Sequence, residues 1–194
     1  MRGQPRIGIL AVQGDFEAHA KVLVRLGVDH VLVKSPIDLK GVDGLILPGG
    51  ESTTQLQFLT EEGLLDAFRQ FADRGGAFFG TCAGAILLAR EVRNPAQPSL
   101  GLADITVTRN AYGRQVASRV CLGSSKLKQE PLEMVFIRAP VIESVGTGVK
   151  VLAECEDRPV LVRQGRVRAA TFHPELTSDT TVHEHFLQLI RNGS

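Results

Sequence analysis

Three short apolar runs, at residues 7–12, 44–47 and 77–80, each end in a glycine-bearing turn and give way to a segment of helical periodicity. A run of four to six residues without polar alternation reads as a strand buried on both faces. Such strands alternating with helices build a parallel sheet covered by helices on each side. The first strand is expected over 6–12, closing at Gln13-Gly14-Asp15. Phe16, Ala20, Leu23 and Val24 then share one helical face, and Gly27 ends that helix. Strands at 29–33 and 44–47 follow, the second running into Pro48-Gly49-Gly50. Ser52-Thr53-Thr54-Gln55 has capping-box spacing, which sets a helix start there. Leu64, Phe68 and Phe71 mark another helix, stopped by Gly75-Gly76, and the strand at 77–80 leads directly into a helix over 83–90.

The second half changes character. Residues 105–109, 116–122, 134–137, 149–154, 160–164 and 167–171 read as strands with few helices between them, and Gln164-Gly165-Arg166 as a hairpin turn. Val182, Phe186, Leu189 and Ile190 form one face of a closing helix, opened by a second capping box from Thr181 to Glu184. No linker, repeat or low-complexity segment interrupts the pattern. The expectation is one α/β domain over residues 1–194.

An apolar fraction of 43% gives such a chain a full core without disulfides. A net charge of +1 supplies no long-range field for nucleic acid or acidic lipid. Neither a basic patch nor an aromatic platform suggests nucleic-acid binding. The first apolar run, six residues from Ile7 to Val12, is too short for a signal-peptide core or a membrane span. Cys82, Cys121 and Cys155 are few and odd in number, which fits a reduced cytoplasmic thiol protein better than a disulfide framework. The expected partners are therefore a small-molecule substrate or another protein.

Gly80-Thr81-Cys82-Ala83-Gly84 lies at a strand-to-helix junction and has the form of a nucleophile elbow with Cys in place of Ser. The turn lifts the nucleophile off the sheet, and the helix N-terminus beside it favours an anionic sulfur. The base is expected at His173, in Thr171-Phe172-His173-Pro174-Glu175. Proline holds the residue before it out of the helical region, so His173 should be extended, with Glu175 two residues on and pointing the same way. That carboxylate would fix the imidazole tautomer, as in a Cys-His-acid triad. Both motifs fall at C-terminal strand ends, where open α/β sheets hold their sites. Pro48-Gly49-Gly50-Glu51-Ser52 has the glycines for a close backbone approach to a ligand.

The remaining candidates are weaker. His183 and His185 are two apart on a helix and make a poor metal pair. His19 reads as a helix-surface residue and His30 as a strand-edge residue. Cys121 and Cys155 read as small buried residues of strands. No metal-ligand spacing, phosphate loop or dinucleotide fingerprint is visible, so neither metal nor cofactor is expected.

On these motifs the sequence resembles the class I (triad) glutamine amidotransferase family, and within it the glutaminase subunits of pyridoxal 5′-phosphate synthases. The resemblance rests on Leu10-Ala11-Val12-Gln13-Gly14, Leu47-Pro48-Gly49-Gly50-Glu51-Ser52-Thr53-Thr54, Phe79-Gly80-Thr81-Cys82-Ala83-Gly84, Arg109-Asn110, Gly113-Arg114-Gln115, Phe136-Ile137-Arg138-Ala139-Pro140 and Phe172-His173-Pro174-Glu175-Leu176-Thr177. Ala111 and Tyr112 stand where the family often has Ser and Phe. The resemblance implies a single-domain three-layer fold, with a mixed, mostly parallel central sheet flanked by helices. It implies Cys82, His173 and Glu175 as the catalytic residues, and L-glutamine bound by Gly50, Glu51, Ser52, Arg109, Ile137 and Arg138. The glutamine carboxylate needs a cation and its ammonium an anion, which the two arginines and Glu51 can supply. Backbone N–H groups of Ala83 and Gly50 would hold the oxyanion. The implied partner is a pyridoxal 5′-phosphate synthase subunit in a hetero-oligomer, with Gln13 as a candidate contact. Rival readings are a γ-glutamyl hydrolase or peptidase of the same fold, and a catalytically silent regulatory subunit.

Overall fold

The structure is a computed structural model that describes residues 4–109 and 118–192. Asn110, Ala111, Tyr112 and Gly113-Arg114-Gln115 therefore lie outside the described residues.

Strands β1 (Ile7–Leu10), β2 (His30–Val33), β3 (Gly44–Leu47) and β4 (Ala77–Thr81) are joined by α1 (Phe16–Arg25), α2 (Ser52–Glu61) and α3 (Leu64–Asp73). After α4 (Ala83–Leu88) come β5 (Ala89–Arg93), β6 (Ala103–Thr108), β7 (Ser118–Ser125), β8 (Leu132–Ile137), β9 (Val141–Val145), β10 (Lys150–Cys155), β11 (Arg158–Gln164) and β12 (Val167–Ala170). The helix α5 (Thr181–Arg191) closes the fold. Nine strands form one sheet in the order β2-β1-β3-β4-β12-β11-β10-β7-β8, and β5-β6-β9 form a second, smaller sheet. Pairing is parallel from β2 to β12 and antiparallel from β12 to β8.

Period-two alternation divides the buried residues between the two faces. Ile7, Ile9, Ile46 and Phe79 face α1 and α5, meeting Leu23, Val182, Phe186 and Ile190. Leu10, Leu45, Leu47 and Phe78 face α2, α3 and α4, meeting Leu59, Leu64, Phe68 and Leu87. A third cluster packs the small sheet, through Val92, Ile105, Val107 and Ile142, against Val162 and Ala169 of the large one. Three layers result, with the large sheet in the middle.

Several local expectations change. α4 stops at Leu88, and Ala89–Arg93 is a strand. Leu100 N–H takes the Leu87 carbonyl at 2.8 Å and Ser99 Oγ takes that of Ala89 at 2.6 Å, so the carbonyls face the returning loop instead of a further helical turn. β9 was not expected, being a five-residue strand opened by Pro140. The cap of α2 is Glu51 rather than Ser52. Its carboxylate accepts from Thr53 N at 3.1 Å and Thr54 N at 2.8 Å, while Ser52 is already helical and donates to Gln97 Oε1 at 3.0 Å. The box from Thr181 to Glu184 is displaced in the same way. Asp179 accepts from Thr181 N at 2.9 Å, and Thr180 Oγ1 donates to Glu184 at 2.8 Å. The 164–166 hairpin forms as expected, with Gly165 at φ +53°.

Candidate active site

Cys82 sits between β4 and α4 with φ +48° and ψ −104°, a conformation that costs an ordinary side chain strain and is held by its surroundings. Its N–H donates to Ala170 O of β12 at 2.8 Å. The elbow depends on close backbone packing at Gly84, where an added Cβ would overlap the Leu47 carbonyl of β3. His173 leaves the end of β12, and its N–H donates to Val135 O of β8 at 2.8 Å. Its Nδ1 lies 2.7 Å from Glu175 Oε1. Glu175 reaches that position through a 3-10 turn, Pro174–Leu176, not through the extended segment expected from the proline. Gly49 fits between His173 and Cys82: a Cβ there would overlap the His173 ring and stand 3.4 Å from Cys82 Cβ.

A cleft of about 400 Å³ opens over the sulfur. Gln13, Gly50, Glu51, Ser52, Cys82, Ala83, Arg109, Ile137, Arg138 and His173 all line it, so the structure brings together every candidate except Glu175, which is buried behind the imidazole. Within the cleft the charged candidates already engage one another. Arg109 Nη2 donates to Glu51 Oε1 at 3.0 Å and to Thr53 Oγ1 at 2.9 Å. Burial works against the Glu51 carboxylate, yet hydrogen bonds from Thr54 and Thr53 hold its pKa below the usual value. Ser52 Oγ is committed to Gln97, and Cys82 Sγ points to Ile137 O at 3.8 Å. Gln13 is a strut: its Oε1 accepts from Glu51 N at 3.0 Å and its main-chain O from Gln55 Nε2 at 3.1 Å.

Asp15 and His19 were missed as neighbours of the site. Asp15 lines the cleft with Oδ2 3.8 Å from His173 Nδ1. His19 is fully buried on the inner face of α1, not on its surface. The spacing of Phe16, Leu23 and His19 at three or four residues could have placed it inward. The cysteine reading also changes, because Cys121 of β7 and Cys155 of β10 are joined in a disulfide. Those strands are far apart in sequence but adjacent in the sheet, which no count of cysteines reveals. Cys82 is the free thiol among the described residues.

Burial alone would lower the His173 pKa, but hydrogen bonding with Cys82 and Glu175 and attraction to both raise it from 6.5 to about 10. The folded state therefore keeps a proton that the unfolded chain loses over this window. The stabilisation is complete below about pH 6.5 and is lost as pH rises towards 10. The wild-type melting temperature should fall across that interval, and His173→Gln should flatten the fall. Parallel profiles for the two proteins would contradict the coupling.

A cysteine at a β-to-α elbow, with His-Glu at the end of the neighbouring parallel strand, is the arrangement expected of a class I glutamine amidotransferase. The chain belongs to the SNO glutamine amidotransferase family, whose model matches residues 9–192. It is 55% identical over 189 residues to the pyridoxal 5′-phosphate synthase subunit PdxT of Koribacter versatilis, covering 97% of each chain. The PdxT subunit of Deinococcus radiodurans is 53% identical over 188 residues, covering 94% of this chain and 96% of that one. A solved glutamine amidotransferase superposes with a TM-score of 0.90 at 48% identity, over 95% of this chain and 98% of that one. PurLQS from Thermotoga maritima shares the fold at 15% identity, with a TM-score of 0.66 over 98% and 97% of the two chains.

Proposed function

We propose that this chain is the glutaminase subunit of a pyridoxal 5′-phosphate synthase, hydrolysing L-glutamine to L-glutamate and ammonia for a separate synthase subunit. The observation that carries the reading is Cys82 and His173 in one cleft, with Glu175 bonded behind the imidazole, in a chain that is about half identical to PdxT subunits. Cys82 gives its proton to His173 as its Sγ attacks the side-chain amide carbon, and backbone N–H groups of Ala83 and Gly50 hold the oxyanion. The C–N bond then breaks as the His173 imidazolium gives its proton to the departing nitrogen, releasing ammonia and leaving a glutamyl thioester. His173, now neutral, takes a proton from water as the hydroxyl attacks the thioester, releasing glutamate and restoring the thiol. Arg109, Arg138 and Glu51 hold the zwitterionic end of glutamine, which requires the Arg109–Glu51 pair to open or to receive the substrate as a unit.

The partner contact falls on the loops around Gln13, and the setting is the cytoplasm. No helix among the described residues is long and apolar enough to cross a membrane. Gln13 joins the first loop to the Gly50-Glu51 peptide, so a partner pressing on Gln13 would act on an oxyanion donor. The test is glutamate release by the chain alone and with saturating synthase subunit. Strong activation is expected, weakened in Gln13→Ala. Full activity in the isolated chain, unchanged by synthase, would reject partner control.

A further inference from the structure

Behind the relay lies a buried group that the proposed mechanism leaves unused. Glu175 spends Oε1 on His173, while its Oε2 is buried without a hydrogen-bond partner among the described residues. The group facing Oε2 is His19 Nε2, at 3.5 Å, and neither side chain is exposed. The same Nε2 lies 3.1 Å from Thr81 Oγ1, the residue before the nucleophile. On its other side, His19 Nδ1 lies 3.0 Å from His183 Nε2. Phe79 walls off both rings edge-on, at 6.2 and 5.5 Å between centroids.

The tautomers follow from the surroundings. Burial lowers the pKa of His19 and drives that of His183 well below its usual value, so both rings are neutral and each carries one N–H. Were the His19 proton on Nδ1, the Nε2 lone pair would face the Glu175 carboxylate, and His183 would be left with a buried N–H at Nδ1 that has no acceptor. With the proton on Nε2, His19 aims an N–H at Oε2 and Thr81, and His183 donates from Nε2 to His19 Nδ1. Only a lone pair on His183 Nδ1 then goes unused, and an orphaned acceptor is tolerated better than an orphaned donor.

We propose that His19 is a positioning residue for glutamine hydrolysis, holding Glu175 against His173 through an N–H set by His183. The role rests on the glutaminase reading above. With His173 on Oε1 and the His19 N–H facing Oε2 at 3.5 Å, the carboxylate is biased to one orientation, and the imidazole keeps its alignment with Cys82. Loss of the donor loosens the acid rather than the substrate, so it should lower kcat and leave KM nearly unchanged.

The experiment compares His19→Gln, His19→Asn and His19→Phe in complex with the synthase subunit, by steady-state glutamate release, with melting temperatures measured alongside. Gln can place an amide N–H near the Nε2 position and an acceptor towards His183, whereas Asn is too short to reach Glu175. A close polar contact to a charged group sets the scale: kcat should fall about 10- to 100-fold in Asn and Phe, with KM within about twofold. Gln should recover most of the loss. A kcat within about twofold of wild type in Asn or Phe would overturn the proposal, as would a Gln variant that is folded yet as slow as Asn. Wild-type complex that releases no glutamate would instead reject the glutaminase reading itself.

Discussion

Cys82→Ala is expected to remove glutamate formation altogether, a loss on the order of 10⁴-fold or more, because no other group can form the acyl intermediate. The substituted side chain keeps the Cβ, so the strained φ of +48° and the N–H bond to Ala170 should persist and the protein should stay folded. Cys121→Ser and Cys155→Ser break the disulfide between β7 and β10 and should retain most activity, since neither residue lines the cleft. A glutamine-analogue alkylator should modify Cys82 alone. Residual turnover in Cys82→Ala, or activity lost in step with labelling at Cys121 or Cys155, would remove Cys82 from the mechanism.

The second large effect separates the base from the group that orients it. His173→Ala removes the proton carrier for both half-reactions and should approach the Cys82 variant in severity. Glu175→Gln keeps the shape of the side chain and can still accept from His173 Nδ1 through its carbonyl. It loses the charge that helps to raise the His173 pKa towards about 10. A loss of about 10²- to 10⁴-fold is expected, with turnover that remains measurable. Single-turnover thioester formation would place each deficit on a half-reaction. Wild-type rates in both variants would show that the relay in the structure is not the one in use.

Much of this site is legible in the sequence because its parts are local. Cys82 announces itself by small neighbours at a strand-to-helix junction, and His173 by a proline that ends a strand. Strands β3 and β12 begin where their apolar runs begin. Capping was legible in kind but not in register. Glu51 outcompetes Ser52 because two carboxylate oxygens can serve Thr53 and Thr54 together. His19 and the cysteine pair were misjudged for a different reason. A histidine on an amphipathic helix and two cysteines 34 residues apart take their meaning from partners that only the fold brings near. Thr81 on one side, and Glu175 and His183 from the C-terminal stretch on the other, surround His19.

Strand order also governs when the enzyme can exist. β12, late in the sequence, is inserted between β4 and β11 at the middle of the large sheet. A nascent chain that has emerged only through β11 has Val167–Ala170 still inside the ribosome, and β4 keeps an open edge with its N–H and C=O groups unpaired. His173 follows that strand by three residues and Glu175 by five, so Cys82, His173 and Glu175 cannot meet before the sheet closes. Cys82, made before β12, emerges with no imidazole beside it. Assembly of the candidate site is thereby tied to completion of the fold, and a chain halted before β12 cannot form it.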